Sequence, residues 1–353
     1  MSDLAYMRTA LSLARRGLGT TWPNPAVGCV IVNEGRVVGR GWTQPGGRPH
    51  AEAEALARAG AAAKGATAYV TLEPCCHEGR GPPCAQSLVA AGVARVVAAI
   101  GDPFPHVAGD GFRLLREAGI VLEEGVCAVE ATEANAGFLQ RVRTGRPLVT
   151  LKLAASLDGR IATASGESRW ITGPAARERT HALRANHDAI LVGTGSVIAD
   201  DPELTCRLPG LGERSPLRVV LDRHLRLPAS AKVFAPPSWV LTLADDAPEL
   251  RARGLEVLTV PDDLAAMLQI LGARGLTRIL VEGGGRLAAA LLRAGLVDRL
   301  IWMHAPMAVG GDGIPAIADL GLQHLADAPR FELMSIEVVG GDVVEIFRRM
   351  GRP

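Results

Sequence analysis

The apolar positions of the first 145 residues switch repeatedly between helix-like and strand-like spacing. A helical pattern covers residues 3–16, and two strand patterns at 26–33 and 36–42 flank Glu34-Gly35, which predicts a hairpin. The remaining predicted elements are a helix opening at His50, a strand at 66–72, a helix at 84–91, a strand at 95–100, a helix at 110–118 and a strand at 120–124. This order predicts a mixed sheet covered by helices on both faces.

A break at Gly145-Arg146-Pro147 ends this pattern, after a polar stretch at 128–144 that reads as a helix. Beyond it, the predicted strands lie at 148–155, 188–193, 217–222, 238–243, 278–282 and 298–304, with helices at 174–186, 262–273 and 285–294. Residues 331–347 read as two further strands around Gly340-Gly341. The sequence therefore predicts two α/β domains, 1–145 and 146–353.

Composition and charge narrow the class of protein. The 353 residues are 48% hydrophobic and 21% charged with a formal net charge of +1, so no nucleic-acid or membrane partner is indicated. Six cysteines are too few for a disulfide scaffold, which favours a reducing, cytoplasmic location. Neither a signal peptide nor a run of eighteen apolar residues is found.

Residues 50–84 carry the pattern of a catalytic metal site. His50 and Glu52 open a helix, Cys75 closes a strand pattern, and Cys84 follows a Gly/Pro-rich loop. A catalytic zinc takes three His, Cys or carboxylate ligands and keeps a fourth position for water. We therefore expect His50, Cys75 and Cys84 to bind one zinc ion per chain, with Glu52 as the general acid and base. The pattern resembles the zinc nucleobase deaminases, except that eight residues rather than two separate the cysteines.

Each of these residues also has an ordinary interpretation. A single histidine near a helix start is usually a cap or a surface residue, and a single cysteine is usually inert core. Their ordered combination is what favours a metal site. Cys76 adjoins a ligand in extended chain, so its side chain should point away and be structural, whereas His77 could line the pocket.

Two glycine-bearing stretches follow predicted strands in the second half, at 192–196 and 281–286. A strand, glycines and a helix start present backbone N–H groups to a phosphate, although a plain tight turn is the alternative. Asp298 comes too early for the acidic residue of a Rossmann unit. The pattern thus predicts a phosphate or dinucleotide site of a non-Rossmann kind. Arg184 and Arg207 are candidates for holding a substrate phosphate. Asp200-Asp201, before Pro202, could be no more than an N-cap and a turn.

Two sets of motifs, one in each half, resemble the bifunctional riboflavin-biosynthesis deaminase/reductase family. The first half contains Pro23-Asn24-Pro25, TLEPCCH at 71–77 and GRGPPC at 79–84, where the eight-residue cysteine spacing is the rule for that family. The second half contains SLDGR at 156–160, ASGES at 164–168, WIT at 170–172, DDP at 200–202 and VEGG at 281–284. The resemblance covers nearly the whole chain. It implies a cytidine-deaminase-like first domain and a dihydrofolate-reductase-like second domain that uses NADPH.

The resemblance implies two successive reactions. The first domain would use zinc-activated water to remove the 2-amino group of 2,5-diamino-6-ribosylamino-4(3H)-pyrimidinone 5′-phosphate, and the second would reduce the ribosyl group to ribityl. Substrate contacts are implied for Asn24, His77, Ser168, Arg184, Leu204, Arg207 and Glu282. Cofactor contacts are implied for Ala154, Trp170, Ser196, Asp200, Arg223, Gly284, Gly285, Arg286, Leu287, Ala288, Ala289 and Ala290, although the family more often has a small hydroxyl residue at the place of Arg223. Lys152 or Asp200 could orient reacting groups. A small-molecule substrate and a homo-oligomer are expected.

Three alternatives belong to other functional classes. A nucleic-acid base deaminase would need a basic stripe and exposed aromatic residues, and the neutral charge and 4% aromatic content argue against it. A purely structural zinc site would normally have four ligands and would give Glu52 no purpose. A zinc deaminase whose second domain is regulatory or structural stays open on the sequence alone.

Overall fold

The computed structural model describes residues 2–77, 81–104 and 107–350. It divides into two compact units, Met1–Gly145 (unit 1) and Arg146–Pro353 (unit 2). Residues 78–80, of which 79 and 80 belong to the GRGPPC motif, lie outside the described part. The predicted α/β architecture is confirmed, as is the predicted order of elements up to residue 124.

Unit 1 contains one five-stranded sheet in the order β2-β1-β3-β4-β5. Its elements are α1 (Asp3–Ala14), β1 (Gly28–Asn33), β2 (Arg36–Trp42), α2 (Ala51–Ala59), β3 (Thr67–Val70), α3 (Cys84–Ala90), β4 (Arg95–Ala98), α4 (Asp110–Glu117), β5 (Val121–Glu124), α5 (Ala128–Ala134) and α6 (Ala136–Thr144). Strand β1 is antiparallel to β2 and β3, whereas β3, β4 and β5 are parallel. The sheet is therefore mixed, as predicted.

Strand β1 shows why helices cover both faces of this sheet. Its side chains alternate, so Cys29 and Ile31 pack into one core with the helices that follow β2 and β3. Val30 and Val32 pack into a second core with α1 and α5. All four residues are at most 7% exposed, and a strand buried on both sides reads as the continuous apolar run seen in the sequence.

Unit 2 contains a nine-stranded sheet in the order β11-β10-β9-β8-β12-β6-β13-β16-β15 and a two-stranded ribbon, β14-β7. Its strands are β6 (Leu148–Ser156), β7 (Arg160–Ala162), β8 (Ala189–Gly193), β9 (Leu217–Leu221), β10 (Ser238–Thr242), β11 (Glu256–Thr259), β12 (Arg278–Glu282), β13 (Arg299–Ala305), β14 (Ile314–Pro315), β15 (Phe331–Val339) and β16 (Asp342–Arg349). Its helices are α7 (Pro174–Ala185), α8 (Thr194–Asp200), α9 (Pro248–Ala252), α10 (Leu264–Ala273) and α11 (Gly285–Arg293). The strands from β11 to β13 are parallel, and β16 and β15 add antiparallel.

Two expectations about local structure were wrong, and several short elements were not predicted. The stretch 128–144 is not one polar helix, because Asn135 interrupts it and both resulting helices bury residues in the cores. Asp200 and Asp201 do not form an N-cap, since they end α8 with Asp201 in the left-handed region (φ 39°). The short elements β7, α8, α9, β11 and β14 were not predicted, because their apolar patterns are only two to seven residues long.

Within the described residues, no helix is both long and apolar enough to span a bilayer.

A buried histidine in unit 2 links helix α7 to strand β6. The His187 Nδ1 lies 2.7 Å from the Leu183 carbonyl oxygen, so it must carry the proton and donate. The Nε2 atom, 3.0 Å from the Thr150 hydroxyl, then accepts. Burial lowers the pKa of His187 to about 4, because the charged imidazolium cannot be solvated there.

This histidine is expected to make the chain less stable as the pH falls from about 6.5 to 4. In that window the unfolded state binds a proton that the folded state does not, so the free energy of unfolding drops, by up to about 3 kcal/mol at the lower limit. Urea unfolding at several pH values should show a smaller drop in His187→Gln, because glutamine offers one donor and one acceptor but does not titrate. The control is His324→Gln, at an exposed position, which should show the same drop as the wild type. A full drop in His187→Gln would contradict the assignment.

Candidate active sites

The three predicted metal ligands of unit 1 converge at the ends of separate elements. His50 is the N-cap residue of α2, Cys75 follows β3, and Cys84 is the first residue of α3. The His50 Nδ1 lies 3.5 Å from the Cys75 sulfur and 3.4 Å from the Cys84 sulfur. All three donor atoms lie within 4.8 Å of one another.

These distances fit a tetrahedral zinc ion. Zinc–sulfur and zinc–nitrogen bonds of about 2.3 and 2.0–2.1 Å, at a tetrahedral angle, separate the two donors by about 3.6 Å. The observed 3.4 and 3.5 Å separations match that value. Cys76 is not part of the cluster, which agrees with a structural role for its side chain.

The surroundings of the two thiols favour loss of a proton. A hydrogen bond from the Cys84 thiol lowers the pKa of Cys75 well below its usual value, with a further contribution from His50. The Cys84 backbone N–H also points at the Cys75 sulfur, 3.4 Å away. The same shared hydrogen bond and burial raise the pKa of Cys84, so one thiolate forms readily and a cation is needed to hold the second.

Glu52 lies on the inner face of α2, two residues after His50. Its side chain is 3% exposed, and burial raises its pKa to about 7. It lines the same cavity as His50 and Cys75. A carboxylate in that position can exchange protons near neutral pH, as a general acid and base must.

A cavity of about 270 Å³ opens onto the donor cluster. Asn24 and His77, both predicted to contact substrate, line this cavity. Its walls mix apolar side chains (Val27, Leu72, Phe104, Phe138) with polar and charged ones, as small-molecule sites usually do.

Sequence reasoning missed several residues of this cavity, among them Arg48, Asp102, Phe138 and Arg141. Asp102 could have been found, because it follows β4, the parallel neighbour of the strand that leads to Cys75. Burial raises its pKa to about 6. Phe138 and Arg141 stand one helical turn apart on α6, and no motif marks them.

Glu73, next to the metal motif, has an architectural role. It is 4% exposed and accepts N–H bonds from Asp102, Gly109 and Phe112. These bonds tie the loop after β4 and the start of α4 to the segment that carries Cys75.

In unit 2, several residues predicted to contact or orient the substrate form a buried cluster of ion pairs. The Arg184 guanidinium donates two hydrogen bonds to the Glu282 carboxylate, at 2.7 and 2.9 Å. Lys152 stands beside Glu282 on the neighbouring strand, with 3.9 Å between the charged atoms. Burial raises the pKa of Glu282, but the two cations outweigh it and lower the pKa to about 2. The carboxylate therefore stays charged, and Arg184 is directed at Glu282 rather than lying open as an independent phosphate ligand.

A loop after α8 joins other predicted substrate residues to this cluster. The Thr205 carbonyl oxygen accepts a bond from Arg184 at 3.0 Å and lies 3.1 Å from the His181 ring. Arg207, which is exposed, lies 3.5 Å from the Thr205 hydroxyl. Leu204 is 6% exposed with φ +55°, so its side chain belongs to the core. Among the described residues, no hydrogen bond or ion pair joins Ser168 to this cluster.

The two glycine-bearing stretches meet, as a shared phosphate site requires. The Gly284 N–H donates to the Ser196 hydroxyl at 2.9 Å, which joins the start of α11 to α8. Gly285 is constrained by packing, since a Cβ there would lie 2.7 Å from the Pro315 carbonyl oxygen. Of the predicted run, Gly285, Ala288 and Ala289 are buried, whereas Gly284, Arg286, Leu287 and Ala290 keep exposed surface.

The other predicted cofactor residues are more dispersed. Trp170 is 67% exposed with the Arg177 guanidinium 4.5 Å from its ring centre. Asp200 accepts a 3.2 Å bond from Arg169 through its backbone oxygen. Arg223 is paired with Asp262 at 3.0 Å. Ala154 lies within β6, partly exposed.

Comparison with known proteins finds two family models, one matching within each structural unit. Residues 1–100 match the cytidine and deoxycytidylate deaminase zinc-binding region, and residues 147–345 match the RibD C-terminal domain. The riboflavin biosynthesis protein RibD of Escherichia coli (strain K12) is 48% identical over 361 residues, covering 97% of this chain and 98% of the relative. The chain belongs to the RibD family.

Solved RibD structures share the whole fold. Acinetobacter baumannii RibD (form 1) is 42% identical with a TM-score of 0.92, over 99% of both chains. A Thermotoga maritima structure, a diaminohydroxyphosphoribosylaminopyrimidine deaminase/5-amino-6-(5-phosphoribosylamino)uracil reductase, is 34% identical with a TM-score of 0.89, again over 99% of both chains. The predicted fold class and family are therefore confirmed.

Membership of the RibD family makes this chain a bifunctional riboflavin-biosynthesis enzyme with deaminase and reductase activities. The match to a zinc-binding region, together with the His/Cys/Cys cluster, supports zinc as the metal. A purely regulatory second domain is not favoured.

Proposed function

We propose that the chain carries out two successive steps on one pyrimidine ribose phosphate. Unit 1 deaminates 2,5-diamino-6-ribosylamino-4(3H)-pyrimidinone 5′-phosphate hydrolytically. Unit 2 then reduces the ribosyl group of 5-amino-6-(5-phosphoribosylamino)uracil to ribityl with NADPH. The observation that carries this proposal is the His50–Cys75–Cys84 cluster with the buried Glu52 at the base of one cavity. The Thermotoga maritima relative bears the names of both reactions along the same length of chain.

The cavity of unit 1 supports binding of a phosphorylated pyrimidine. Arg48 and Arg141 line it and bring positive charge for a phosphate. Asn24, His77 and Asp102 offer hydrogen-bonding groups for the edge of a base. The apolar walls then exclude water from the ring, which strengthens these polar contacts.

Glu52 moves the protons of the deamination. When bound at His50, Cys75 and Cys84, zinc would act as a Lewis acid that lowers the pKa of a water molecule to about 7. Glu52 accepts the proton of the attacking water and delivers it to the ring nitrogen. It then takes the proton of the newly added hydroxyl group and transfers it to the departing amine, so that ammonia leaves and a carbonyl remains. Its burial keeps this exchange away from solvent.

In unit 2 the residues bind and orient rather than react. The exposed face of Trp170 and the first turn of α11, after Gly284, can hold the ring and phosphate parts of NADPH. Arg207 and the Lys152–Glu282–Arg184 cluster would hold the substrate. NADPH bound there would supply the hydride for C1 of the ribosyl group, and the protein would align the two. The bond from C1 to the sugar ring oxygen would break, and that oxygen would take a proton from water. Lys152 is placed to orient the reacting groups.

Incubation of the purified, zinc-loaded chain with the pyrimidine substrate tests the proposal. Without NADPH, the product should be the deaminated compound with its ribosyl group intact. With NADPH, the ribityl product should form and NADPH should be consumed in equal amount. Absence of ammonia release would contradict the first step, and ammonia release without NADPH consumption would leave unit 2 regulatory or structural.

Replacing Arg207 with alanine should raise the KM of the reduction by about tenfold or more. A hydrogen bond to a charged group contributes about 1.5–3 kcal/mol, and the exposed guanidinium is proposed to contact the substrate phosphate. Steady-state kinetics on supplied deaminated intermediate measures the effect. The same change at Arg253, an exposed arginine after α9, should leave KM unaltered. An unchanged KM in Arg207→Ala would remove this residue from the site.

We also propose that the chain forms a homo-oligomer through strand β15. This strand is at the edge of the nine-stranded sheet, and Leu333, Met334, Ile336 and Val338 are 42–73% exposed. A long apolar edge strand is an aggregation hazard unless another surface covers it. A second copy of β15, antiparallel to the first, would cover these apolar side chains. It would also form hydrogen bonds with the backbone groups along the strand edge.

A charged residue at position 336 should therefore weaken self-association. Ile336→Asp is expected to lower the molar mass measured by sedimentation equilibrium to that of one chain, because an unpaired charge would be buried. Val129, which is 81% exposed on α5, provides the control, and Val129→Asp should keep the wild-type mass. A monomeric wild-type protein would refute the proposal.

A further inference from the structure

Unit 1 has a second cavity, of about 420 Å³, on the opposite side of strand β2 from helix α2. Gly39 and Gly41 pack against α2 so closely that a Cβ would lie 2.2 and 2.1 Å from the carbonyl oxygens of Ala55 and Ala51. Side chains alternate along a strand, so Arg40 and Trp42 lie on the other face, which is the face toward α1. Arg16, just after α1, completes this groove. None of its lining residues belongs to the cavity of the metal cluster.

Three arginines line the groove, and the guanidinium groups of two of them lie over one aromatic ring. The Arg16 and Arg58 guanidinium carbons lie 5.1 and 5.4 Å from the centre of the Trp42 ring. Arg58 reaches there around the open edge of the sheet, donating to the Arg40 carbonyl oxygen at 2.9 Å. Cation–π contacts thus hold two like charges near one another, and the nearby Arg40 adds a third.

The positive charge of this groove is only partly neutralised. Arg58 pairs with Glu54 at 3.1 Å. Within the described part of the chain, neither Arg16 nor Arg40 forms an ion pair. The groove therefore has an excess of two positive charges, and guanidinium groups are suited to phosphate oxygens by charge and by geometry. Its volume lies within the range of about 300–1,000 Å³ typical of small-molecule sites.

We infer that this groove binds the diphosphate group of a small molecule, at a site separate from the cavity of the metal cluster. Arg16 and Arg40 provide the main contacts, and Trp42 holds Arg16 in place. Two guanidinium groups contact the Trp42 ring, so the ring is engaged by the protein and recognition rests on the phosphates. The ligand is either free inorganic diphosphate or a nucleoside diphosphate.

Calorimetric titration of the full-length protein with sodium diphosphate tests this inference. One binding event per chain is expected to weaken at least tenfold in the double variant Arg16→Gln/Arg40→Gln. The double variant Arg15→Gln/Arg36→Gln removes the same charge from exposed positions outside the groove and should bind as the wild type does. Deamination should be unchanged in both variants, which shows that the fold is intact.

A titration with adenosine diphosphate separates the two sources. Equal affinity for both compounds indicates free diphosphate as the ligand, and tighter binding of the nucleotide indicates a nucleoside diphosphate; both outcomes support the site. The inference is overturned if the wild type shows no event that depends on Arg16 and Arg40. It is also overturned if a single-stranded oligonucleotide binds through the same arginines more tightly than adenosine diphosphate does, because the groove would then be a nucleic-acid surface.

Discussion

Replacing Glu52 with glutamine is expected to lower the deamination rate by about 10²-fold or more while the chain keeps its zinc. Glutamine has the shape of glutamate but cannot accept a proton, and a positioned acid/base group contributes about 10²–10⁴-fold to rate. Glu52 is 3% exposed at the base of the cavity, so bulk water cannot easily replace it. Single-turnover ammonia release and zinc content by atomic emission measure the two quantities.

Glu54 is the matched control for this experiment. It lies on the same helix two residues further on, partly exposed and paired with Arg58. Glu54→Gln should leave deamination and zinc content as they are. Reduction of supplied intermediate should be unaffected in both variants. Normal turnover in Glu52→Gln, or a large loss of zinc from it, would show that Glu52 is not the proton carrier.

The parts of unit 1 that the sequence predicted are those specified by local signals. The two-residue turn at Glu34 and Gly35 has positive φ at both positions, which suits a hairpin that follows the twist of the strands. The metal ligands sit at the ends of elements, where a change of pattern marks them in the sequence. His50 and Glu52 are two residues apart, so a single helix start positions both.

The walls of the cavity could not be predicted in the same way. Phe138 and Arg141 come from α6, far along the chain from His50, and only the packing of that helix brings them to the cavity. The interruption at Asn135 also escaped the sequence pattern, because helical spacing continues on both sides of it. Contacts of this kind depend on tertiary packing, which overrides local propensity.

Arginine roles in unit 2 show the same limit. Arg184 and Arg207 look alike in the sequence, yet one is 9% exposed and paired with Glu282 while the other is exposed. The pairing depends on β12 bringing Glu282 opposite α7, and no local pattern encodes it. Residue type alone indicated a charge at each place and could not indicate its partner.

Removing one ligand of the metal site is the second change expected to have a large effect on deamination, because zinc binding requires all three donors. Cys84 begins α3, and its sulfur lies 3.4 Å from the His50 Nδ1. A serine hydroxyl is a poor zinc ligand compared with a thiolate, and only two strong donors would remain. Cys76 is adjacent to a ligand but lies outside the donor cluster, so it separates the effect of a missing ligand from that of a lost thiol.

Cys84→Ser is therefore expected to lose most of its bound zinc and all measurable deamination, whereas Cys76→Ser should retain both. Zinc content after dialysis against a weak chelator and ammonia release measure the two outcomes. The reductase reaction on supplied intermediate serves as an internal check that the Cys84→Ser chain has folded. Full zinc occupancy in Cys84→Ser would mean that another residue is the third ligand, and zinc loss in Cys76→Ser would place that residue at Cys76.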